Sequence, residues 1–386
     1  MLPGIGVFGM GELSCILVPL LRAKGFNIEA IWEKSTEEAE AAAKKLEIPF
    51  SSSNVDDLLL HKDVDLVLIT CSPNVQAQIA VKAMGIGKHV LCDRPGGINQ
   101  HEALKMVNAA MYYPSLISVV NYGLRYLPAC SVMKKLIHDG FCGQVQLCEA
   151  QIRCGSLLPT EYNWKWDGIM GGGTLTLLGS HIIDLVSYIT DQRPWRVHGM
   201  VHNYIKVPHG GTNGVHQVTS DDYCTFQMEL SQGVCVNVTL SSRPGESFFQ
   251  EISVYGDAGS LTIRGVNLFG RKNQTPDKEE LLHMENVNLD PRNSLCDNPR
   301  PHILGMNKLI GALRDAFTTS PQKKSWRKDP LSLAATFHDG QYVQATIEAI
   351  KKSSKERRWV RVDLLTEEPN PNRVLNEAVR RGAISL

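Results

Sequence analysis

The chain has 386 residues, long for one hydrophobic core and comfortable for two domains. Charged residues make up 21% and hydrophobic residues 43%, the mix of an ordinary globular protein. Lysine plus arginine equals aspartate plus glutamate at 40 each, and no long basic block occurs, which argues against nucleic acid or anionic membrane as the main partner. The ten cysteines are scattered without a C-x-x-C pair or a tight Cys/His cluster, so reduced thiols and no metal site are expected. No stretch reaches the ~20 apolar residues of a membrane helix, and no basic leader precedes an apolar core. A cytoplasmic location is expected.

The first third of the chain alternates strand-like and helix-like segments. "GIGVFG" reads as a strand, "LSCILVPLLRAKGF" as a helix ending at Gly25, "NIEAIWE" as a strand and "TEEAEAAAKKL" as a helix. "DVDLVLITCS", "VQAQIAVKAMGIG", "KHVLCD", "QHEALKMVNAAMYY" and "LISVVNY" continue the series. Alternating α and β with near-continuous apolar strands predicts a doubly wound parallel sheet. After Arg125 the pattern changes. A helix at "PACSVMKKLIHDG" leads into "QVQLCEAQIRCGS" and then "RVHGMVHNYIKV", "DDYCTFQMEL", "GVCVNVTLSS", "QEISVYGD" and "GSLTIRG", a run of strands that predicts an open antiparallel sheet in an α+β second domain. Late helices are expected at "HILGMNKLIGALRDAF" and "AATFHDGQYVQATIEAIKKSS", and a polar loop over 270–300. "YCTFQM" and "VCVNVTL" are expected to set aromatic and aliphatic side chains on a sheet face that few helices cover, which predicts a homodimer through that sheet.

Gly9, Met10 and Gly11 follow the first strand at the head of a helix in the pattern G-x-G-x-x-S, with Ser14 at the third position. Gly9 would make the tight turn, and Gly11 would let backbone N–H groups approach a pyrophosphate, so a nicotinamide dinucleotide is the expected ligand. The second strand ends in Trp32-Glu33-Lys34-Ser35-Thr36. Glu33 suits the ribose hydroxyls of NAD, whereas Lys34, Ser35 and Thr36 suit the 2′-phosphate of NADP, and Ser35 and Thr36 could equally cap the next helix. The residues leave that choice open. Further on, "GGGTLTLLGSHIIDL" over 171–185 runs three glycines into an apolar stretch holding His181 and Asp184. On a helix these two share a face three residues apart, the spacing of a base and its orienter.

At "GIGKHVLCDRP", "R-x-x-P" from Arg125 to Pro128, "GGGTLTLLGSHIID" and "YGDAGSL" the sequence resembles the glucose–fructose oxidoreductase and inositol dehydrogenase family, Gfo/Idh/MocA. The resemblance covers nearly the whole chain. "MLPGIGVFG", "LLHKDVDLV", "TSDDYCTFQM" and "LTEEPN" resemble its animal subgroup of glucose–fructose oxidoreductase domain-containing proteins. It implies a dinucleotide-binding Rossmann domain over 1–124, an α+β substrate and dimerisation domain over 125–362 and a tail over 363–386. Cofactor-side positions implied are Cys71, Ser72, Pro73 and Asn74 of "CSPN", together with Asp93, Arg94, Asn121 and Lys165 of "NWKWD". Within the subgroup, a basic residue with hydroxyls after the second strand implies NADP, with NAD the alternative.

Active members of that family carry a lysine in E-K-P, and an aspartate four residues before the histidine. Here E-K-P reads Asp93-Arg94-Pro95 and the aspartate position reads Leu177. Arginine is not deprotonated in proteins, so Arg94 can polarise a carbonyl but not relay a proton. Leu177 removes the carboxylate that would support a charged His181. The resemblance therefore implies an NADP(H)-binding pseudo-oxidoreductase with Arg94 and His181 as the remnant of the catalytic set. The competing expectation is a working oxidoreductase on a sugar, polyol or related carbonyl compound through His181. His181 itself could serve as a lone base or as a packing residue, and Asp184 sits where the family keeps a structural aspartate.

Overall fold

The structure, a computed structural model, describes residues 2–207, 217–275, 278–285, 299–318 and 326–367. Its first sheet is built from β1 (Ile5–Phe8), β2 (Ile28–Trp32), β3 (Phe50–Ser52), β4 (Leu66–Ile69), β5 (His89–Cys92) and β6 (Ser118–Val120). Between them run α1 (Glu12–Ala23), α2 (Thr36–Leu46), α3 (Val55–Leu59), α4 (Pro73–Gly85) and α5 (Gln100–Tyr112). β1, β4 and β5 are buried at every residue, as strands covered by helices on both faces must be. The order is β3-β2-β1-β4-β5-β6, all parallel, so the winding reverses between β1 and β4 and opens a crevice at their C-terminal ends. β3 and α3 escape a pattern reading because they are only 3 and 5 residues long.

A short turn at Gly123–Tyr126 leads to α6 (Pro128–His138) and β7 (Val145–Cys154). After a loop come a wide helical turn at Leu175–Gly179, α7 (Ser180–Thr190), β8 (Pro194–His202), β9 (Tyr223–Leu230) and β10 (Cys235–Ser242). The chain continues through β11 (Phe249–Gly256), β12 (Gly259–Arg264), β13 (Asn267–Lys272), β14 (Glu279–His283) and α8 (Arg300–Thr318). It closes with β15 (Ala335–Thr336), α9 (Phe337–Glu356) and β16 (Val360–Arg361). The second sheet runs β14-β13-β12-β11-β7-β10-β9-β8-β16, and its neighbours are antiparallel except the parallel pair β7 and β10. β13 and β14 place strand where a polar loop over 270–300 was expected; 286–298 lie outside the described residues, as does the tail from 368.

The expected apolar patch on the second sheet is absent from the described surface. Cys224, Phe226 and Met228 of β9 and Val236, Val238 and Leu240 of β10 are buried in one core with Ile183 and Val186 of α7 and Ile347 and Ile350 of α9. The period of two then turns Thr225, Gln227, Asn237 and Thr239 to the opposite face, beside Glu149 and Gln151 of β7. The uncovered face is polar. Late in the chain, Ile303, Met306, Leu309 and Ile310 of α8 join the core of Ile5, Val7 and Leu17, and β15 pairs antiparallel with β6, so the chain returns to the first sheet.

A buried ion network ties these parts together. Arg125 donates from Nε to Asp184 Oδ2 at 2.8 Å and from Nη2 to Oδ1 at 2.6 Å, and its Nη2 lies 3.4 Å from Asp339 Oδ1. Arg193 also pairs with Asp339, whose Oδ2 accepts the Thr336 N–H at 2.8 Å and closes a capping box at the start of α9. Burial alone would raise the Asp339 carboxyl; Arg125 and Arg193, with the Thr336 N–H, outweigh it and hold it down from 3.8 to about 2. A depressed carboxyl contributes stability that is complete above the unfolded value and lost as pH falls through the folded one, here about 2 kcal/mol. Asp339→Asn is expected to lower the urea-unfolding free energy by about that amount near neutral pH. The gap to the parent chain should close as pH falls from 3.8 toward 2. A gap that stays constant over that range would contradict the ionic account.

Candidate active site

The glycine loop sits at the crevice between β1 and β4. Gly9 has φ +100°, and a Cβ there would stand 2.8 Å from the Cys71 backbone, so only glycine fits. Ser14, at the third fingerprint position, donates to Gly9 O at 2.6 Å and lies 2.7 Å from Thr70 Oγ1, which itself donates to Gly9 O at 2.8 Å. This buried triangle pins the loop to the end of β4. Gly11, by contrast, is exposed, and a Cβ there would meet no atom within 4 Å. It is the N-cap of α1, and no side chain caps that helix start. Fixed turn, open helix N-terminus and free approach are the fit a pyrophosphate needs.

A cavity of about 590 Å³ runs along this loop. It is lined by Glu33, Lys34, Glu38 and Lys45, by Gly9, Met10 and Gly11, by Cys71, Ser72 and Asn74, and by Asn163, Trp164 and Met170 of the second domain. The Glu33 carboxylate accepts the Met10 N–H. Ser35 caps α2 by accepting the Glu38 N–H at 3.2 Å, and Thr36 lies 3.2 Å from Ser53 Oγ, so both hydroxyls have local structural partners. Lys34 and Lys45 are exposed and make no ion pair among the described residues. Burial pushes the Cys71 thiol up to about 12, which keeps it protonated. Lys165 bridges the two domains, donating from Nζ to Glu12 Oε2 at 2.8 Å in the first turn of α1.

The three glycines of 171–173 are close-approach positions. A Cβ would stand 2.8 Å from Pro73 Cγ at Gly171, 2.2 Å from the Lys165 carbonyl at Gly172 and 2.2 Å from Asp221 Oδ1 at Gly173. They bring the chain close to the start of α4, to Lys165 and to Asp221 just before β9 as it enters the Leu175–Gly179 turn. That turn has wide i→i+5 geometry, a form that recurs at functional sites. Its Leu177 carbonyl accepts from Arg94 Nε at 3.1 Å. Arg94 Nη1 reaches both oxygens of Asp93, at 2.8 and 3.0 Å, and Asn121 Nδ2 donates to the same carboxylate at 3.2 Å. Asp93, Arg94 and Asn121 are thus engaged with one another.

His181 is 4% exposed and does not meet Asp184. The carboxylate belongs to Arg125, so the pairing of base and orienter read from the i,i+3 spacing is overturned: the charged guanidinium outcompetes a neutral ring. The His181 ring instead stands edge-to-face on Tyr122 at 5.8 Å and on His302 of α8 at 4.5 Å. Burial, then His302, then Arg94 lower its pKa well below the ordinary value, and His302 is brought down to about 3. Both rings are neutral near neutral pH. Sequence reading missed Glu12, Thr70 and His302. Glu12 and Thr70 adjoin recognised motifs, whereas His302 lies 121 positions from His181 with no motif around it.

Beside Arg94, Leu177 and His302 the remaining space is about 40 Å³. A larger cavity of about 670 Å³ lies at the opposite, N-terminal ends of the strands, among Leu2, His89, Phe317 and Trp326. Ligands of wound sheets bind at the C-terminal ends, and in the N-terminal cavity His89 accepts the Ile117 N–H as a structural residue, so the glycine-loop cavity is the candidate site. Among the described residues, no cluster of His, Cys, Asp or Glu could hold a metal, and no helix is long and apolar enough to cross a membrane.

Fold and crevice define a dinucleotide-binding oxidoreductase architecture. Residues 4–120 match the oxidoreductase family with an NAD-binding Rossmann fold, and residues 131–262 match the GFO/IDH/MocA C-terminal domain. The chain belongs to the GFO/IDH/MocA oxidoreductase family. It is 43% identical to glucose-fructose oxidoreductase domain-containing protein 1 of Xenopus tropicalis across 100% of both chains. It is also 43% identical to glucose-fructose oxidoreductase domain-containing protein 2 of Homo sapiens across 99% of each. Among solved structures it resembles an oxidoreductase domain protein from Kribbella flavida (TM-score 0.75, 22% identity, covering 94% of this chain and 99% of that one). Levoglucosan dehydrogenase in complex with NADH and L-sorbose is similar in fold at TM-score 0.74 and 19% identity, covering 94% and 99%.

The two kinds of glycine separate experimentally. Gly173→Ala forces a Cβ onto Asp221 at φ +111° and should cost about 2–4 kcal/mol in urea unfolding. Gly11→Ala should cost less than about 1 kcal/mol, because nothing crowds it, yet it should weaken dinucleotide binding measured by fluorescence titration. Equal stability losses would contradict this assignment.

Proposed function

We propose that the protein is an NADP(H)-binding pseudo-oxidoreductase, retaining the cofactor crevice of its family while having lost the proton-transfer groups, and acting in a regulatory or structural role. The observation that carries the reading is the reaction end of the site. Leu177 stands in the carboxylate position, Arg94 is committed to Asp93 and the Leu177 carbonyl, and His181 is neutral, buried and turned to His302. A bound nicotinamide would supply hydride transfer; the chain would have to move the accompanying proton. A positioned proton-transfer group contributes roughly 10²–10⁴ in rate, and none of these three side chains is poised to do so. The 40 Å³ beside Arg94 and Leu177 accommodates roughly three waters, far short of a sugar such as the L-sorbose held by levoglucosan dehydrogenase.

At the adenosine end, support for NADP over NAD comes from charge. Lys34 and Lys45 line the cavity without ion-pair partners among the described residues, beside the exposed Glu38 and beside Glu33, whose carboxylate is turned to the Met10 N–H. A charge-assisted contact to the 2′-phosphate is worth roughly 1.5–3 kcal/mol, about ten- to hundredfold in affinity. Lys34→Ala is expected to weaken NADPH binding about tenfold in a fluorescence titration and to leave NADH binding unchanged. Equal titration curves for the two cofactors with the parent chain would overturn the NADP assignment.

Self-association through the uncovered sheet face is the assembly we propose. Its central strands present alternating hydrogen-bonding side chains such as Gln151, Gln227 and Asn237, which suit a polar isologous contact in place of the apolar one first expected. Light scattering at micromolar concentration should give twice the chain mass; a monomer mass would contradict it.

A further inference from the structure

The His302 ring is 4% exposed, although it lies in the first turn of α8 and that helix otherwise buries aliphatic residues against the first sheet. It stands edge-to-face on His181 at 4.5 Å, with Phe248 behind it at 6.4 Å, and it borders the 40 Å³ void beside Arg94 and Leu177. Neither His302 Nε2 nor His181 Nδ1 has a hydrogen-bond partner among the described residues. A buried histidine kept for its hydrogen bonds would have both nitrogens satisfied. Here the ring fills volume in front of the histidine that the family's reaction frame keeps.

We propose that His302 is a resident occupant of the substrate subsite, its imidazole filling the space that faces His181 and so excluding polyols from the frame. The proposal rests on the reading of a retained but silent reaction site and explains why so little space is left there. Being planar and compact, the ring leaves behind, when removed, a closed hole of its own shape. That hole faces His181 and lies beside Leu177 and Leu178, and it should accept a free five-membered heterocycle.

The test uses the full-length chain with His302→Ala and His302→Phe. Imidazole is the probe, kept mainly neutral by mildly alkaline buffer. His302→Ala should gain a saturable rise in melting temperature of roughly 3 °C or more with imidazole, while the parent chain and His302→Phe, whose holes are filled, should not respond. Should His302→Ala fail to fold alone, imidazole in the refolding buffer should recover it. A folded His302→Ala indifferent to imidazole, an unfolded one that imidazole does not recover, or a parent chain that responds equally would each overturn the proposal. Polyol turnover by the parent chain would instead overturn the functional reading, and the imidazole response would still report whether the ring fills a closed hole.

Discussion

The structure depends on the pairing of Arg125 with Asp184. Arg125 lies in the short turn where the chain leaves the first sheet, and Asp184 lies in the helix that presents His181, so one bidentate ion pair sets that helix against the Rossmann domain. Asp339 and Arg193 extend the contact to α9 and to the start of β8. Groups this deeply buried are costly to desolvate and tolerable only when fully paired, which makes the network a demanding constraint on the relative position of the parts. It also consumes Asp184, the carboxylate three residues from His181 on the same helix. The interaction that builds the site is thus the one that deprives its histidine of an acidic partner.

From this pairing follows an uneven site. The glycine-loop side is open and lined at one part by Lys34 and Lys45 together with Glu33 and Glu38, while the space beside Arg94, Leu177 and His302 is small and tightly filled. Lys165 and Glu12 span the boundary between the two, an ion pair from the loop of the second domain to the helix that heads the glycine turn.

Much of this was legible in the sequence, and the residues show why. The glycine loop announces itself because Gly9 answers to backbone geometry that few other residues satisfy, and the buried strands because a parallel sheet demands continuous apolar runs. The replacements at Arg94 and Leu177 were visible by resemblance to the family's motifs. What stayed hidden depends on tertiary competition. Spacing put His181 and Asp184 on one helix face, but only the fold reveals that Arg125 takes the carboxylate. Alternation in "YCTFQM" identified an apolar face without saying that α7 and α9 would cover it. His302 reaches His181 from a distant helix, and no local pattern marks it.

The central claim, that cofactor binding survives while hydride transfer does not, is tested most directly by stopped-flow absorbance of the full-length chain preloaded with NADPH and mixed with a panel of aldoses, ketoses and inosose-type ketones. The account predicts that the reduced nicotinamide signal persists, bound and unconsumed, over many minutes with every compound. Oxidation of the bound cofactor by any one of them at an ordinary enzymatic rate, on the order of 10 s⁻¹, would contradict it.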